Sequence, residues 1–260
     1  MVRNGSGLRA VVFDLDGVIT FTANVHASAW KELFDDYLQK RAAELREPFR
    51  PFDETSDYLR YVDGKPREDG VVSFLQSRNI RVPLGDPSDG PSRVTVRNLG
   101  KRKDELFKQK LQQMGVDVDE DAVRFVRNLR SRGILTGLAS SSRNTTLILE
   151  KTELKNLFGA VVDGLTSERL RLRGKPAPDI FLQCLASLDD SITPHDAAVV
   201  EDAISGVEAG RHGGFRFVLG VDRQNTGDLK VHGADWVIRN FRQMTAAQFI
   251  SMFESMSRAA

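Results

Sequence analysis

Short, nearly continuous apolar runs occur at 9–14, 134–139, 159–163, 197–201, 215–220 and 235–238. Unbroken runs of this length, rich in Val, Leu, Ile and Ala, suit strands buried on both faces of a parallel sheet. Over the C-terminal part they alternate with segments of helical apolar spacing, among them 118–132, Thr145 to Leu154 and Ile180 to Leu188. That alternation predicts an α/β protein with a doubly wound parallel sheet. The stretch between the first run and residue 118 has a different pattern. Its apolar positions recur at helical spacing over 24–46, 53–61, 67–77 and 101–114, with no strand-like run among them. Pro83, Gly85, Pro87, Gly90 and Pro91 mark 81–93 as a loop. The expected organisation is a core of 1–22 and 108–260 interrupted by a helical insert, 23–107.

Composition narrows the class. A chain of 260 residues can bury a sizeable core, and 37 Lys and Arg against 36 Asp and Glu give a formal net charge of +1. The basic residues are scattered, which argues against a nucleic-acid footprint; the local run Lys101-Arg102-Lys103 reads as a solvated helix end. The single cysteine, Cys184, sits in an apolar helical segment, so it forms no intramolecular disulfide and fills the core. Residues 1–7 lack the apolar stretch of a signal peptide, and no segment approaches membrane-spanning length. A soluble, cytoplasmic, monomeric protein is expected, with neither nucleic acid nor membrane as partner.

Chemistry is concentrated where apolar runs end. The first run ends in Asp14-Leu15-Asp16-Gly17-Val18-Ile19-Thr20. Strand alternation would set Asp14 and Asp16 on one side, with Leu15 in the packing and Gly17 allowing a sharp turn. Two acids held together invite a hard divalent cation such as Mg²⁺, beside which a carboxylate stays ionised and can attack phosphorus. The second run leads into Ser140-Ser141-Ser142-Arg143-Asn144, whose hydroxyls and amides at a helix start suit an anionic phosphate. Gly174-Lys175-Pro176-Ala177-Pro178-Asp179 places a lysine before two loop-fixing prolines, and the run at 197–201 ends in a second acidic pair, Glu201-Asp202.

The order Asp-x-Asp, Ser, Lys, Glu-Asp resembles the four motifs of the haloacid dehalogenase (HAD) superfamily of phosphotransferases across nearly the whole chain. The resemblance implies a Rossmann-like core with an inserted helical cap. It assigns Asp14 as the nucleophile that forms an aspartyl phosphate and Asp16 as general acid and base. Ser140 and Lys175 would hold the transferring phosphoryl group, and Asp14, Asp16, Glu201 and Asp202 would surround Mg²⁺. Phe13 to Thr20, Thr22-Ala23, His26 and Ala29-Trp30-Lys31 further resemble the opening of the β-phosphoglucomutase-like family, as do Ala139 to Asn144 and Gly174 to Phe181. Gly64-Lys65-Pro66-Arg67-Glu68-Asp69 is similar to that family's substrate loop. By that likeness Arg67 clamps the phosphate that is not transferring, a task for a bidentate guanidinium. Ser142, Arg143 and Asn144 would meet the same phosphate. His26 would serve closure and proton shuttling, Thr22 would be a hinge hydroxyl, and Lys103 would be the cap lysine facing the site, with Lys101 as the alternative register.

The chain departs from that family at Phe21, usually acidic, at Arg143, usually lysine, and in a longer loop around 81–94. The resemblance implies a small sugar phosphate as substrate and a mutase that converts β-glucose 1-phosphate to glucose 6-phosphate through a bisphosphate. A sugar-phosphate phosphatase of the same architecture is the alternative, since such motifs identify the phosphotransfer centre better than the final acceptor. A non-catalytic binding module is disfavoured because Asp14, Asp16, Lys175 and Asp202 are all in place.

Overall fold

The computed structural model describes residues 7–256. All six apolar runs form strands: β1 Ala10–Phe13, β2 Leu135–Ala139, β3 Ala160–Val162, β4 Ala197–Glu201, β5 Phe217–Val221 and β6 Trp236–Ile238. They make one sheet in the order β3-β2-β1-β4-β5-β6, with every neighbouring pair parallel. The chain starts at the centre, builds out to β3, then crosses back to β4 and builds toward β6. Strand order therefore reverses between β1 and β4, where ligands bind in sheets of this kind, beyond the carboxyl ends of the strands.

Alternation along β1 explains why helices cover both faces. Ala10 and Val12 pack with Ile180, Phe181, Cys184 and Leu185 on one side. Phe13 faces the other, its ring 6.3 Å from that of Phe125 on helix Glu120–Arg130. Phe125 and Phe217 in turn meet Phe249 edge-on, at 5.5 and 5.2 Å. Cys184 is fully buried with its thiol toward the Leu138 carbonyl, and burial pushes its pKa up to about 12.

The chain divides into two compact units, Met1–Phe21 with Asp117–Ala260, and Thr22–Val116. The first carries the sheet. Among its described residues the second holds no strand; it contains α1 Ala23–Leu45, a π-helical turn Tyr58–Val62, α2 Arg67–Ser77 and α3 Val96–Met114. Aromatic rings form its centre: Phe34 lies 5.2 Å from Trp30, 4.1 Å from Phe74 and 5.3 Å from Phe52. Each such buried ring contributes about 1.5–3 kcal/mol through burial alone.

Two expectations change here. The boundary expected at 107/108 falls inside α3, whose buried face runs on from Leu106 and Phe107 to Leu111, so the second unit extends to Val116. The helix expected over 53–61 begins only at 56, after a turn at 54–55, and is π-helical from Tyr58 to Val62. Asp53 Oδ1 accepts from the Thr55 and Ser56 amides, and the Tyr58 and Asp63 amides reach back five residues, to Asp53 and Tyr58. No helix among the described residues is long and apolar enough to cross a membrane. Residues 1–6, most of the segment considered above for a signal peptide, lie outside the described residues.

Candidate active site

Three strand ends and one loop build the centre of the sheet unit. After β1 the Asp14 amide donates to the Val200 carbonyl at 2.9 Å, which extends the sheet by one bond and anchors the Asp14 backbone. The chain then turns: the Ile19 and Thr20 amides both donate to the Leu15 carbonyl, and Gly17 adopts a φ of 87°. A Cβ at position 17 would collide with the Asp202 carboxylate, so both conformation and space require glycine there. At the end of β4, Glu201 Oε2 accepts from the Asp202 and Ala203 amides, each at 2.7 Å. Gly206 leaves room for this carboxylate, which a Cβ would strike.

Lys175 links these ends. Its Nζ donates to Asp14 Oδ1 at 2.6 Å and to Glu201 Oε1 at 2.5 Å, and lies 4.7 Å above the Phe181 ring. Lys175 and Glu201 are 2% and 0% exposed, so the ion pairs are shielded from water. Burial pulls the ammonium down, but the two carboxylates together outweigh it and hold Lys175 above the ordinary lysine value. Asp14 is pushed well above the usual carboxylate range. Its own burial is the main cause; Lys175 opposes the shift, while Glu201 and Asp16 reinforce it.

Carboxylate oxygens of Asp14, Glu201 and Asp202 lie within 4.8 Å of one another. These are hard oxygen donors, and with Asp16 nearby the carboxylates outnumber the one ammonium, so the residues fit a divalent cation such as Mg²⁺. Asp16 differs from its expected place in this set. The strand ends at Phe13, so alternation no longer governs position 16, and the Asp16 carboxylate instead accepts from Ser140 Oγ at 3.3 Å. Its side chain is not among the three clustered groups.

The serine run is folded on itself. Ser140 Oγ accepts from the Ser142 amide at 3.1 Å, and Ser142 Oγ accepts from the Asn144 amide at 3.1 Å. Two of the amides expected to face a phosphate are thereby engaged within the run. Asn144 is buried at the start of helix Thr145–Lys151, and Arg143 pairs with Glu168. Phe21 lies with its ring 4.5 Å below the Arg223 guanidinium, so an aromatic face meets the cation where the resembled family usually has an acid.

Thr22, His26, Arg67 and Lys103 all belong to the helical unit. Thr22 is buried at the N-cap position of α1, and its hydroxyl makes no capping bond to the helix. Lys103 is 5% exposed, its Nζ is 2.6 Å from His26 Nδ1, and it lies 5.0 Å from the Trp30 and Phe107 rings. An ammonium can only donate, so Nδ1 accepts and a neutral His26 ring carries its proton on Nε2. Lys101 is exposed and reaches the Pro87 carbonyl. Arg67 pairs with Asp104 at 3.1 Å, and Asp104 also takes Lys108 at 2.8 Å.

Asp104, Asp119 and Arg223 were not anticipated. The pairings of Asp104 with Arg67 and of Asp119 with Arg223 join residues distant in sequence; the cap that Asp119 makes on helix Glu120–Arg130 and the i,i+4 pair of Asp104 with Lys108 are local. Arg223 follows the end of β5, on the same side of the sheet as the other strand-end residues, and the strand-end criterion that selects Asp14, Ser140 and Glu201 would have selected it too.

The similarities of the whole chain agree with this geometry. A family model described as haloacid dehalogenase-like hydrolase matches residues 8–214. The chain is 44% identical over 241 residues to the β-phosphoglucomutase of Mycobacterium bovis, covering 91% of each. It is 32% identical over 242 residues to the β-phosphoglucomutase of Bacillus subtilis, covering 92% of each. A crystal structure of β-phosphoglucomutase from Clostridium difficile shares the fold, with a TM-score of 0.76 and 21% identity over 97% of this chain and 100% of that one. With six parallel strands, strand-end carboxylates and this extent of similarity, the chain belongs to the haloacid dehalogenase superfamily and, within it, to the β-phosphoglucomutase-like enzymes.

Proposed function

We propose that the chain is a Mg²⁺-dependent, phosphoglucomutase-type isomerase that converts β-glucose 1-phosphate to glucose 6-phosphate through an aspartyl phosphate on Asp14 and a sugar bisphosphate. The reading takes it as a cytoplasmic monomer whose partner is a small sugar phosphate, with Thr22–Val116 as an inserted cap domain. One observation carries it. The Asp14 carboxylate stands at the topological switch point, ion-paired to buried Lys175 and within 4.8 Å of the oxygens of Glu201 and Asp202.

In this reading the phosphorylated Asp14 transfers its phosphoryl group to the sugar hydroxyl while Asp16 accepts that hydroxyl's proton. The bisphosphate then returns its other phosphoryl group to Asp14, and Asp16 gives the proton to the leaving oxygen. Ser140, which donates to Asp16, aims the acid–base carboxylate. Lys175 supplies fixed positive charge beside the nucleophile, where transfer depends mostly on position and charge stabilisation. Mg²⁺ held by Asp14, Glu201 and Asp202 would keep Asp14 ionised and offset the negative charge of the phosphate. Arg67 would grip the phosphate that is not reacting, with His26, Lys103, Ser142, Arg143 and Asn144 completing the sugar-phosphate site.

The test is product partition. With Mg²⁺ and a catalytic amount of sugar bisphosphate, β-glucose 1-phosphate is expected to yield glucose 6-phosphate faster than inorganic phosphate. Release of phosphate as the main product would replace the mutase with a sugar-phosphate phosphatase, a hydrolase as the family description names it.

A further inference from the structure

The Gly17–Phe21 turn follows Asp16 directly and rests against Asp202, so its placement bears on two groups of the proposed centre. Three carbonyls at or just before the turn take backbone amides. Leu15 O takes the Ile19 and Thr20 amides, Thr20 O takes the Gly17 amide, and Ile19 O takes the Asp119 amide. The Gly17 and Val18 carbonyls are held by a side chain distant in sequence. Arg223 Nε donates to Gly17 O at 2.6 Å, and its Nη2 donates to Val18 O at 3.1 Å and to Asp119 Oδ2 at 2.8 Å.

One guanidinium thus binds two consecutive carbonyls and a 6%-exposed carboxylate, and covers the Phe21 ring besides. Its base is fixed as well. Asp222 continues the sheet through its amide to the Ile238 carbonyl, and its carboxylate accepts from the Thr226 and Gly227 amides. Asp119, which caps helix Glu120–Arg130, ties the far side of the fork to the segment where the chain re-enters the sheet unit. A lysine has neither the planar fork nor the stacking face to replace these contacts together.

We infer that Arg223 is a positioning residue of the phosphotransfer centre, holding the Gly17–Phe21 turn, and with it Asp16, in register against Asp202 and Asp119. The inference rests on the phosphotransfer reading proposed above. Arg223 is not a catalytic residue; it acts on the reaction through the turn. A displacement of a catalytic group by about 1 Å can lower turnover on the order of 100-fold while leaving remote substrate contacts in place.

The test compares Arg223→Ala, Arg223→Lys, Asp119→Asn and the Arg223→Ala/Asp119→Asn double variant with the parent. Turnover and KM are measured on β-glucose 1-phosphate at saturating Mg²⁺ and bisphosphate, and amide hydrogen exchange is followed at Gly17, Ile19 and Thr20. For Arg223→Ala the expected result is a kcat lower by about 10- to 100-fold, with KM within about twofold and faster exchange at the three amides. Arg223→Lys should fall between Arg223→Ala and the parent, and the double variant should be no slower than Arg223→Ala, because the two side chains act as one unit. If Arg223→Ala does not fold, the Lys and Asn variants carry the same comparison at smaller amplitude. An unchanged kcat, a loss confined to KM, or unaltered exchange at these amides overturns the inference. Exchange also separates the two readings: a parent inactive on every sugar and aryl phosphate ends the phosphotransfer reading, while the amides still decide whether Arg223 holds the turn.

Discussion

In the sheet unit, Asp14, Ser140 and Glu201 stand at the ends of three parallel strands, so hydrogen-bonded backbone sets where each begins. In the helical unit, His26, Arg67 and Lys103 project from helices and are held mainly by other side chains, Lys103 against His26 and Arg67 against Asp104. The first arrangement is rigid and tolerates little change, because its charges are buried and mutually dependent. The second can be re-paired by exchanging one residue. Under the proposed function, the contrast suits a division of labour in which fixed backbone would carry the phosphoryl chemistry and adjustable pairs would choose the substrate.

Breaking the sheet-unit centre should have the largest effects. Asp14→Asn keeps the shape of the side chain and removes the anionic nucleophile, so turnover should fall at least about 10³-fold with the fold intact. Substantial activity with an unchanged circular dichroism spectrum would rule out covalent transfer through Asp14. Lys175→Met tests mutual dependence. Without the ammonium, Asp14 and Glu201 confront each other in a dry site, so in the presence of a chelator unfolding should become easier by about 3–5 kcal/mol. An unchanged denaturant midpoint would show that the pair is not the brace its geometry indicates.

The helical unit should respond selectively instead. Arg67→Ala is expected to cut mutase turnover on the order of 100-fold while sparing hydrolysis of a small aryl phosphate, since only the larger substrate draws on remote binding. Equal loss of both rates would assign Arg67 to the structure of its unit. Asp202→Ala, back in the sheet unit, should raise the Mg²⁺ needed for half-activation on the order of 10–100-fold, a scale seen when support for a metal site is lost. An unmoved Mg²⁺ titration would place the ion elsewhere.

The same contrast explains what could be read from sequence. The central strands are legible because double-sided burial writes continuous apolar runs; the edge strands β3 and β6 carry short apolar runs although they are only partly buried, and the strand-end motifs are legible because a strand end is where such a run stops. Asp16 is less legible, because strand alternation ends at Phe13 and the chain turns immediately after it. In the helical unit the period of the pattern survives but its limits do not. α3 passes through 107 because its apolar face continues, and the helix expected from 53 starts at 56, after a turn held by Asp53, and is π-helical from Tyr58. Pairs such as Arg67 with Asp104 join residues far apart in sequence, and nothing local announces them.

The smallest expected effects test the one register that sequence left open. Lys101 and Lys103 are separated by a single residue on α3, which turns them about 200° apart around the helix. Lys103 is drawn inward between Trp30 and Phe107 and donates to His26, while Lys101 reaches only the loop at Pro87. Lys103→Met should therefore lower kcat/KM on the sugar phosphate about tenfold, the scale of one charge-assisted contact of roughly 1.5 kcal/mol. Lys101→Met should leave kcat/KM unchanged and stability within about 0.5 kcal/mol, as for an ordinary surface substitution. Methionine is the useful replacement because it fills the space between the rings and removes only the charge, so a loss at 103 cannot be assigned to a cavity. Equal responses at the two positions would mean that the burial of Lys103 serves packing of the helical unit rather than substrate.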